Sequence, residues 1–156
     1  MKSIPIEQYK RECGTCTKCC EGWLRGEIYG MKMMPGLPCH FKNEKGCSIY
    51  EQRPEHPCKS FNCEWITDLS IPEWLKPNVS NVIMKRDFIN NIEYLNVIES
   101  GSKLSSEVLN WIFSNLIMGK YENVKFTING GVHYYGTNEF NNAMNELDND
   151  YKQKTI

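Results

Sequence analysis

The sequence predicts an α+β fold in which a loop-rich N-terminal cysteine module packs on a C-terminal region with the order hairpin, helix, hairpin, helix. Two observations support this division. All eight cysteines lie between Cys13 and Cys63, together with most of the prolines and glycines. The residues after Cys63 contain no cysteine and show clear apolar periodicity instead. We therefore expect residues 1–68 to form the cysteine module and residues 69–156 the α+β region, joined in one compact unit.

Two hairpins and two helices account for the pattern in the C-terminal region. The hairpins turn at Asn90-Asn91 and at Asn129-Gly130, since both pairs favour tight turns between apolar strands. Between them, Ser105 is a candidate helix N-cap, and apolar residues recur at helical intervals until Gly119. Those residues are Leu104, Val108, Leu109, Ile112, Phe113, Leu116 and Ile117. A polar helix with Phe140, Met144 and Leu147 on its apolar side closes the chain. Residues 69–77 are interpreted as the linker.

Composition and charge exclude several classes of protein. The 156 residues are 40% apolar and 24% charged, which is typical of a globular domain with its own core. The net charge of −1 gives no strong attraction to nucleic acid or to an anionic membrane, and neither is expected as a partner. The N-terminus has no apolar signal region, and no apolar run is long enough to span a membrane. We therefore expect a cytoplasmic protein with reduced thiols rather than disulfides.

The first cysteine cluster has the spacing of metal ligands. Cys13, Cys16 and Cys19 are three residues apart, so one side of a turn or short helix can gather them around a metal. Cys20 follows directly and points elsewhere, because adjacent side chains diverge. Cys20 is therefore expected to belong to a second site or to bridge two metals.

Four later cysteines complete a set of eight candidate metal ligands. They are Cys39, Cys47, Cys58 and Cys63. Eight thiolates match two four-cysteine sites. One partition gives the first three cysteines a single distant partner and groups Cys20 with the other three, but the spacing leaves the partition open. A loop-rich segment of this kind usually needs a metal to hold it, so we expect the module to be metal-stabilised.

The spacing favours iron, as an iron–sulfur cluster or as iron ions, with zinc as the alternative. Structural zinc usually uses paired C-x2-C knuckles, whereas the triple run is closer to the C-x2-C-x2-C of bacterial ferredoxins. The fourth ferredoxin cysteine, which is followed by proline, is absent. His40 and His56 lie beside cysteines, but eight thiols suffice without them. No cofactor beyond metal is expected.

These residues resemble the YkgJ-type cysteine-cluster family, which is described as a zinc- or iron-chelating domain with a CxxCxxCC motif. The resemblance covers about residues 13–65. The matching landmarks are Cys13-x2-Cys16-x2-Cys19-Cys20, Pro38-Cys39, Gly46-Cys47-Ser48-Ile49-Tyr50, Arg53-Pro54 and Cys58-x4-Cys63. One departure is the insertion of Glu55-His56-Pro57 before Cys58, where family members often carry the cysteine closer behind Arg-Pro. The resemblance implies a metal-binding protein.

Three roles for the metal or the thiols fit these residues. The metal can be structural, with the C-terminal region binding a protein partner. It can pass electrons, as in an oxidoreductase or electron-transfer component. The thiols can also buffer or deliver metal ions. Catalytic residues are unknown, because the sequence has no catalytic triad, phosphate loop or zinc-protease motif. If the protein is an enzyme, it is expected to be an iron–sulfur oxidoreductase.

Overall fold

The computed structural model describes residues 11, 13, 16–61, 63–128 and 131–154. The chain divides into two compact units, Met1–Ile83 and Met84–Ile156, called here unit 1 and unit 2. The division falls later in the chain than the boundary predicted after residue 68. The second predicted hairpin turn, Asn129-Gly130, lies outside the described residues.

Unit 1 is built from short elements. Strands β1 (Gly26–Ile28) and β2 (Met31–Met33) form one antiparallel pair, and β3 (Lys42–Asn43) and β4 (Gly46–Cys47) form another. Its two helices, α1 (Glu64–Thr67) and α2 (Pro77–Ser80), have four residues each. Single turns of 3-10 or wider helix are found at Lys18–Glu21, Tyr50–Gln52, Glu55–Lys59 and Glu73–Leu75.

The core of unit 1 is small and contains thiols. Ile28, Met33 and Cys39 form a buried cluster. Partly buried side chains pack against it, namely Cys20, Leu24, Phe41, Ile49 and Cys58. Ile71 and Leu75 are fully buried, so the segment interpreted as a linker is part of the interior of this unit instead. Pro72 follows Ile71 directly, and Pro72 and Pro77 fix the path of the chain on either side of Leu75.

Unit 2 contains long elements that form one sheet with two helices. In chain order these are β5 (Val82–Ile89), β6 (Ile92–Glu99), α3 (Ser106–Ile117), β7 (Val124–Ile128), β8 (Gly131–Tyr135) and α4 (Asn138–Lys154). The sheet has the order β5-β6-β7-β8. The unit boundary falls within β5, so its first two residues belong to unit 1.

The local signals read from the sequence explain these elements. Asn90 and Asn91 both have positive φ, as the two central residues of a type I′ turn require, so the first hairpin prediction is confirmed. The Ser105 hydroxyl accepts a hydrogen bond from the Val108 amide at 3.2 Å and caps α3. Gly119 follows the helix end with positive φ.

The predicted α+β class is confirmed, and the sheet adds a connection that the two-hairpin prediction lacked. β6 pairs with β7 in parallel, with α3 as the crossover, while β7 and β8 are antiparallel. This parallel pair buries Leu95 and Val97 beside Val124 and Phe126. On the closing helix, Phe140 and Met144 are buried, whereas Leu147 is largely exposed. None of the helices in the described part of the chain has the length and apolarity needed to cross a membrane.

Candidate metal centre

All eight cysteines line a single cavity of unit 1 with a volume of about 450 Å³. Its wall also carries apolar side chains, among them Leu24, Ile28, Met33 and Trp65. The described lining residues also include five cationic side chains, namely Lys18, Lys45, Arg53, Lys59 and Lys76. None of the described lining residues is aspartate or glutamate. The cavity therefore combines soft sulfur donors with positive charge and lacks hard carboxylate ligands.

The first thiol group consists of Cys13, Cys16, Cys19 and Cys63. Two backbone hydrogen bonds hold its first three members: the Cys16 amide donates to the Cys13 carbonyl at 3.0 Å, and the Cys20 amide, next to Cys19, donates to the Thr17 carbonyl at 2.9 Å. Cys63 stands directly before α1, where its carbonyl accepts the Ile66 amide at 3.0 Å. Burial raises the pKa of Cys63, and negative charge on Cys13 and Cys16 raises it further. Because the Coulomb energy falls with distance, Cys63 lies near Cys13 and Cys16, where a distant partner of the triple run would be.

Arg11 fastens the start of the triple run to the segment after Cys63. Its guanidinium donates to the carbonyls of Trp65 and Ile71, at 2.6 Å in both cases, and also contacts the carbonyls of residues 68 and 69. It lies 4.5 Å from the centroid of the Trp65 ring and pairs with Glu73 at 3.3 Å. These contacts hold the two parts of the first thiol group side by side.

The second thiol group consists of Cys20, Cys39, Cys47 and Cys58. The Cys39 amide donates to the Cys20 carbonyl at 2.8 Å, and Cys47 lies on β4 opposite Lys42. Burial raises the pKa of Cys39 and of Cys58, and the charges of Cys20 and Cys47 raise both further. These four thiols are therefore neighbours, and three of them contact the apolar cluster of unit 1.

The two groups meet at the adjacent pair Cys19 and Cys20, whose Sγ atoms are 3.9 Å apart. The hydrogen bond between them lowers the pKa of Cys20 to about 7, helped by the positive charges of Lys42 and Arg53. The same bond, followed by burial, raises the pKa of Cys19. The predicted divergence of these adjacent side chains is therefore wrong at the sulfur atoms, because the 3-10 turn Lys18–Glu21 brings the two Sγ atoms together.

Gly22 ends the turn that carries this pair. It has a φ of +102°, and an added Cβ would lie 2.0 Å from the Met34 carbonyl oxygen. Only glycine fits a backbone position of this kind without a shift of the chain. The close approach of Met34 therefore fixes the course of the chain directly after Cys20.

The donor set suits a soft or borderline metal, although the thiols are not gathered as ligands in their present positions. No three histidine, cysteine, aspartate or glutamate side chains of the described residues form a group that could hold a metal ion as they stand. Sulfur ligands lie about 2.3 Å from zinc and therefore about 3.8 Å from one another. The Sγ atoms of Cys19 and Cys20, 3.9 Å apart, have the spacing of two thiolates on one metal ion, which would make this pair a point shared by the two groups. The cavity is many times larger than the roughly 30 Å³ that one water occupies, so metal centres fit.

The structure also locates residues that the sequence left undecided. His40 and His56 are exposed and do not line the cavity, and His56 instead shares a 2.8 Å hydrogen bond with Ser60. Sequence reasoning missed Arg11 and used Arg53 only as part of the Arg53-Pro54 landmark. An arginine gives no sequence signal for its contacts when they depend on carbonyls and thiols that are distant in the chain.

Comparisons with known proteins give no further assignment. No family model matches the chain, and neither the curated proteins nor the solved structures include a significant match. The resemblance to the YkgJ-type family stays a prediction that rests on the cysteine spacing and its landmarks.

Proposed function

We propose that this protein binds metal through its eight cysteines, as iron, in particular an iron–sulfur cluster, or as zinc. One observation carries the proposal: all eight thiols line the same cavity of unit 1, although they are spread over residues 13–63. Unrelated buried cysteines have no reason to converge in this way. Thiolate is the ligand that zinc and iron–sulfur clusters share.

The grouping of the thiols supports two four-thiolate sites. The first thiol group would hold one metal centre and the second thiol group the other, with Cys19 and Cys20 as the point of contact. A bound metal would supply folding energy to a unit with short elements, and an iron–sulfur centre would also carry electrons. The chain itself positions the ligands: Arg11 holds the first group together, and the apolar cluster holds the second.

The role of the metal separates into three hypotheses that purified protein can distinguish. A structural site would hold its metal against chelators and show no redox change. An electron-transfer component, or an iron–sulfur oxidoreductase, would have a reversible reduction potential. A buffering or delivery protein would lose its metal quickly to a weak chelator. The cytoplasmic location predicted from the sequence would keep the thiols reduced in each case.

Elemental analysis after anaerobic purification is the direct test of metal binding. We expect close to two zinc ions per chain, or iron with matching sulfide and a brown colour. Fewer than about half a metal ion per chain would contradict the proposal, since each site has a full set of ligands. Visible absorption separates iron–sulfur protein from colourless zinc protein in the same sample.

Serine substitutions test the partition between the two sites. Cys16→Ser and Cys63→Ser each remove a ligand from the first thiol group, so each single variant and the double variant should lose the same metal. Cys58→Ser should remove the other metal, and combining it with Cys16→Ser should remove both. If the Cys16→Ser, Cys63→Ser double variant loses more metal than either single variant, the two cysteines belong to different sites.

A protein partner of the C-terminal region remains part of the structural hypothesis. Unit 2 exposes Ile117 and Met118 at the end of α3, and Val132 and Tyr135 on β8. The test compares the proteins that co-elute from cell extract with the metal-loaded wild-type chain and with its Ile117→Ser variant. A partner at this position should be lost from the variant. An unchanged set of co-eluting proteins would count against a partner at this position.

A further inference from the structure

Arg53 is held at the thiol cavity by contacts that leave its charge uncompensated. Its Nε donates to the Tyr50 carbonyl at 2.8 Å, and its guanidinium lies 3.7 Å from the centroid of the Tyr50 ring. Within the part of the chain that the structure describes, no carboxylate pairs with it. A half-buried cation normally has an anionic partner, because burial without one is costly. The thiols that line the same cavity would become its anionic partners on losing their protons to bind metal.

The charge of the cavity wall has the sign that two metal–thiolate centres would need. A divalent metal with four thiolates carries a charge of about −2. Two such centres side by side would repel each other in a partly apolar cavity. The described wall offers five cationic side chains and no carboxylate. One of these cations, Lys18, pairs with Glu21 at 3.6 Å, which reduces its effect on the thiols.

We propose that Arg53 is the counter-ion shared by both thiol groups, and that its charge sets the metal affinity of both sites. The inference rests on the proposed function, because it requires thiolates that hold metal. Tyr50 positions the guanidinium through its ring and its carbonyl, so the charge is in place before metal binds. Arg53 acts on the ligands and is not a ligand itself, since a guanidinium has no lone pair to give.

The position of Arg53 in the cavity agrees with a shared role. Arg53 lines the same cavity as Cys13 and Cys63 of the first thiol group and Cys20 and Cys58 of the second. One cation can therefore act on thiolates of both groups.

Zinc affinity of the reduced full-length chain tests the proposal. Zinc ions alone are titrated against a chromophoric chelator under anaerobic conditions, and the number of sites and their dissociation constants are measured. Arg53→Gln removes the charge and should weaken both sites, on the order of ten-fold each. Arg53→Lys keeps the charge and should retain most of the affinity. Arg25→Gln is the matched control, because Arg25 is exposed and does not line the cavity.

Salt separates a charge effect from a folding effect. The difference between wild type and Arg53→Gln should shrink as salt rises from about 0.05 M to about 1 M, since salt screens partly exposed charges. The proposal is overturned if only one site weakens, if Gln and Lys variants weaken equally, or if salt leaves the difference unchanged. Wild type that binds fewer than two zinc ions would instead contradict the two-site function itself, and this inference with it.

Discussion

Unit 2 and unit 1 differ in what holds each of them together. Unit 2 has a strand of 8 residues, most of a second, and helices of 12 and 17 residues, and its core includes the fully buried side chains of Phe126 and Phe140. Strands β1 to β4, in the described part of unit 1, have only two or three residues each. The small apolar cluster of this unit includes Cys39. Long elements bury enough apolar surface to be stable alone, whereas short ones usually need a metal or cross-links. The difference teaches that fold stability and candidate chemistry reside in different parts of this chain.

Removal of metal should have the largest effect on the difference in stability between the two units. A chelator is expected to lower amide protection throughout unit 1 by several orders of magnitude, because structural zinc contributes about 10–16 kcal/mol to small domains. Protection in β6 and β7 should stay unchanged. Hydrogen exchange on the full chain, with and without chelator, reports both units in one sample. Equal loss in both units, or none in unit 1, would contradict the metal-stabilised module.

Phe140→Ala tests the same difference by disturbing the core of unit 2 instead of the metal of unit 1. Phe140 has no exposed surface, and its ring centroid lies 5.3 Å from that of Tyr94 and 6.3 Å from that of Tyr134. Its truncation should destabilise unit 2 by about 3–5 kcal/mol and leave the metal content unchanged. Leu147→Ala is the control on the same helix, since Leu147 is 41% exposed and should change stability by less than about 1 kcal/mol. Denaturant unfolding measures both, and loss of metal in Phe140→Ala would show that the units depend on each other.

Arg11→Gln should have a smaller effect, confined to unit 1. Its side chain is only 12% exposed, and the change leaves several carbonyls without a charged donor. We expect a loss of about 2–3 kcal/mol in the metal-loaded protein. The exchange rates of amides near Trp65 measure it, with Arg25→Gln as the matched exposed control. An effect no larger than that of the control would show that Arg11 does not fasten the first thiol group.

The smallest expected effect is a pH dependence specific to unit 2. Burial, with a further contribution from the Asp87 charge, raises the pKa of Tyr94 to about 12. The unfolded chain ionises this phenol near pH 10. The folded state then binds the proton more tightly, so stability present below pH 10 is lost as the pH rises to about 12. Tyr94→Phe should flatten this loss in denaturant unfolding, and an unchanged profile would contradict it.

Local signals predicted much of unit 2 because they act between residues close in sequence. The Ser105 cap, the Asn90-Asn91 turn and the periodicity of α3 are all of this kind. The parallel pairing of β6 with β7 was not predicted, since apolar alternation gives the buried face of a strand and not its partner. The burial of Ile71 was missed for a similar reason: the short segment that ends at Pro72 has no apolar period that would predict a buried side.

The candidate site divides in the same way. Residue type and spacing pointed to all eight cysteines as ligands, and their partition between two sites stays a prediction. The approach of Cys63 to Cys13 and Cys16 required the folded chain, because Arg11 reaches the carbonyls of Trp65 and Ile71 more than fifty residues away. The sequence also could not predict which cationic side chains line the cavity, since these residues are scattered along the chain.

The close contact at Gly22 limits how this chain can vary over time. A residue at +102° with a carbonyl oxygen 2.0 Å from the site of any Cβ has no tolerated replacement, whereas Gly30, also at positive φ, has open space around it. Natural variants that keep the turn after Cys20 should therefore keep glycine at Gly22, whereas at Gly30 the positive φ alone, without a clash, disfavours a side chain. The spacing of the cysteine run plus one glycine two residues later is thus a stricter signature for finding descendants of this fold than the cysteines alone.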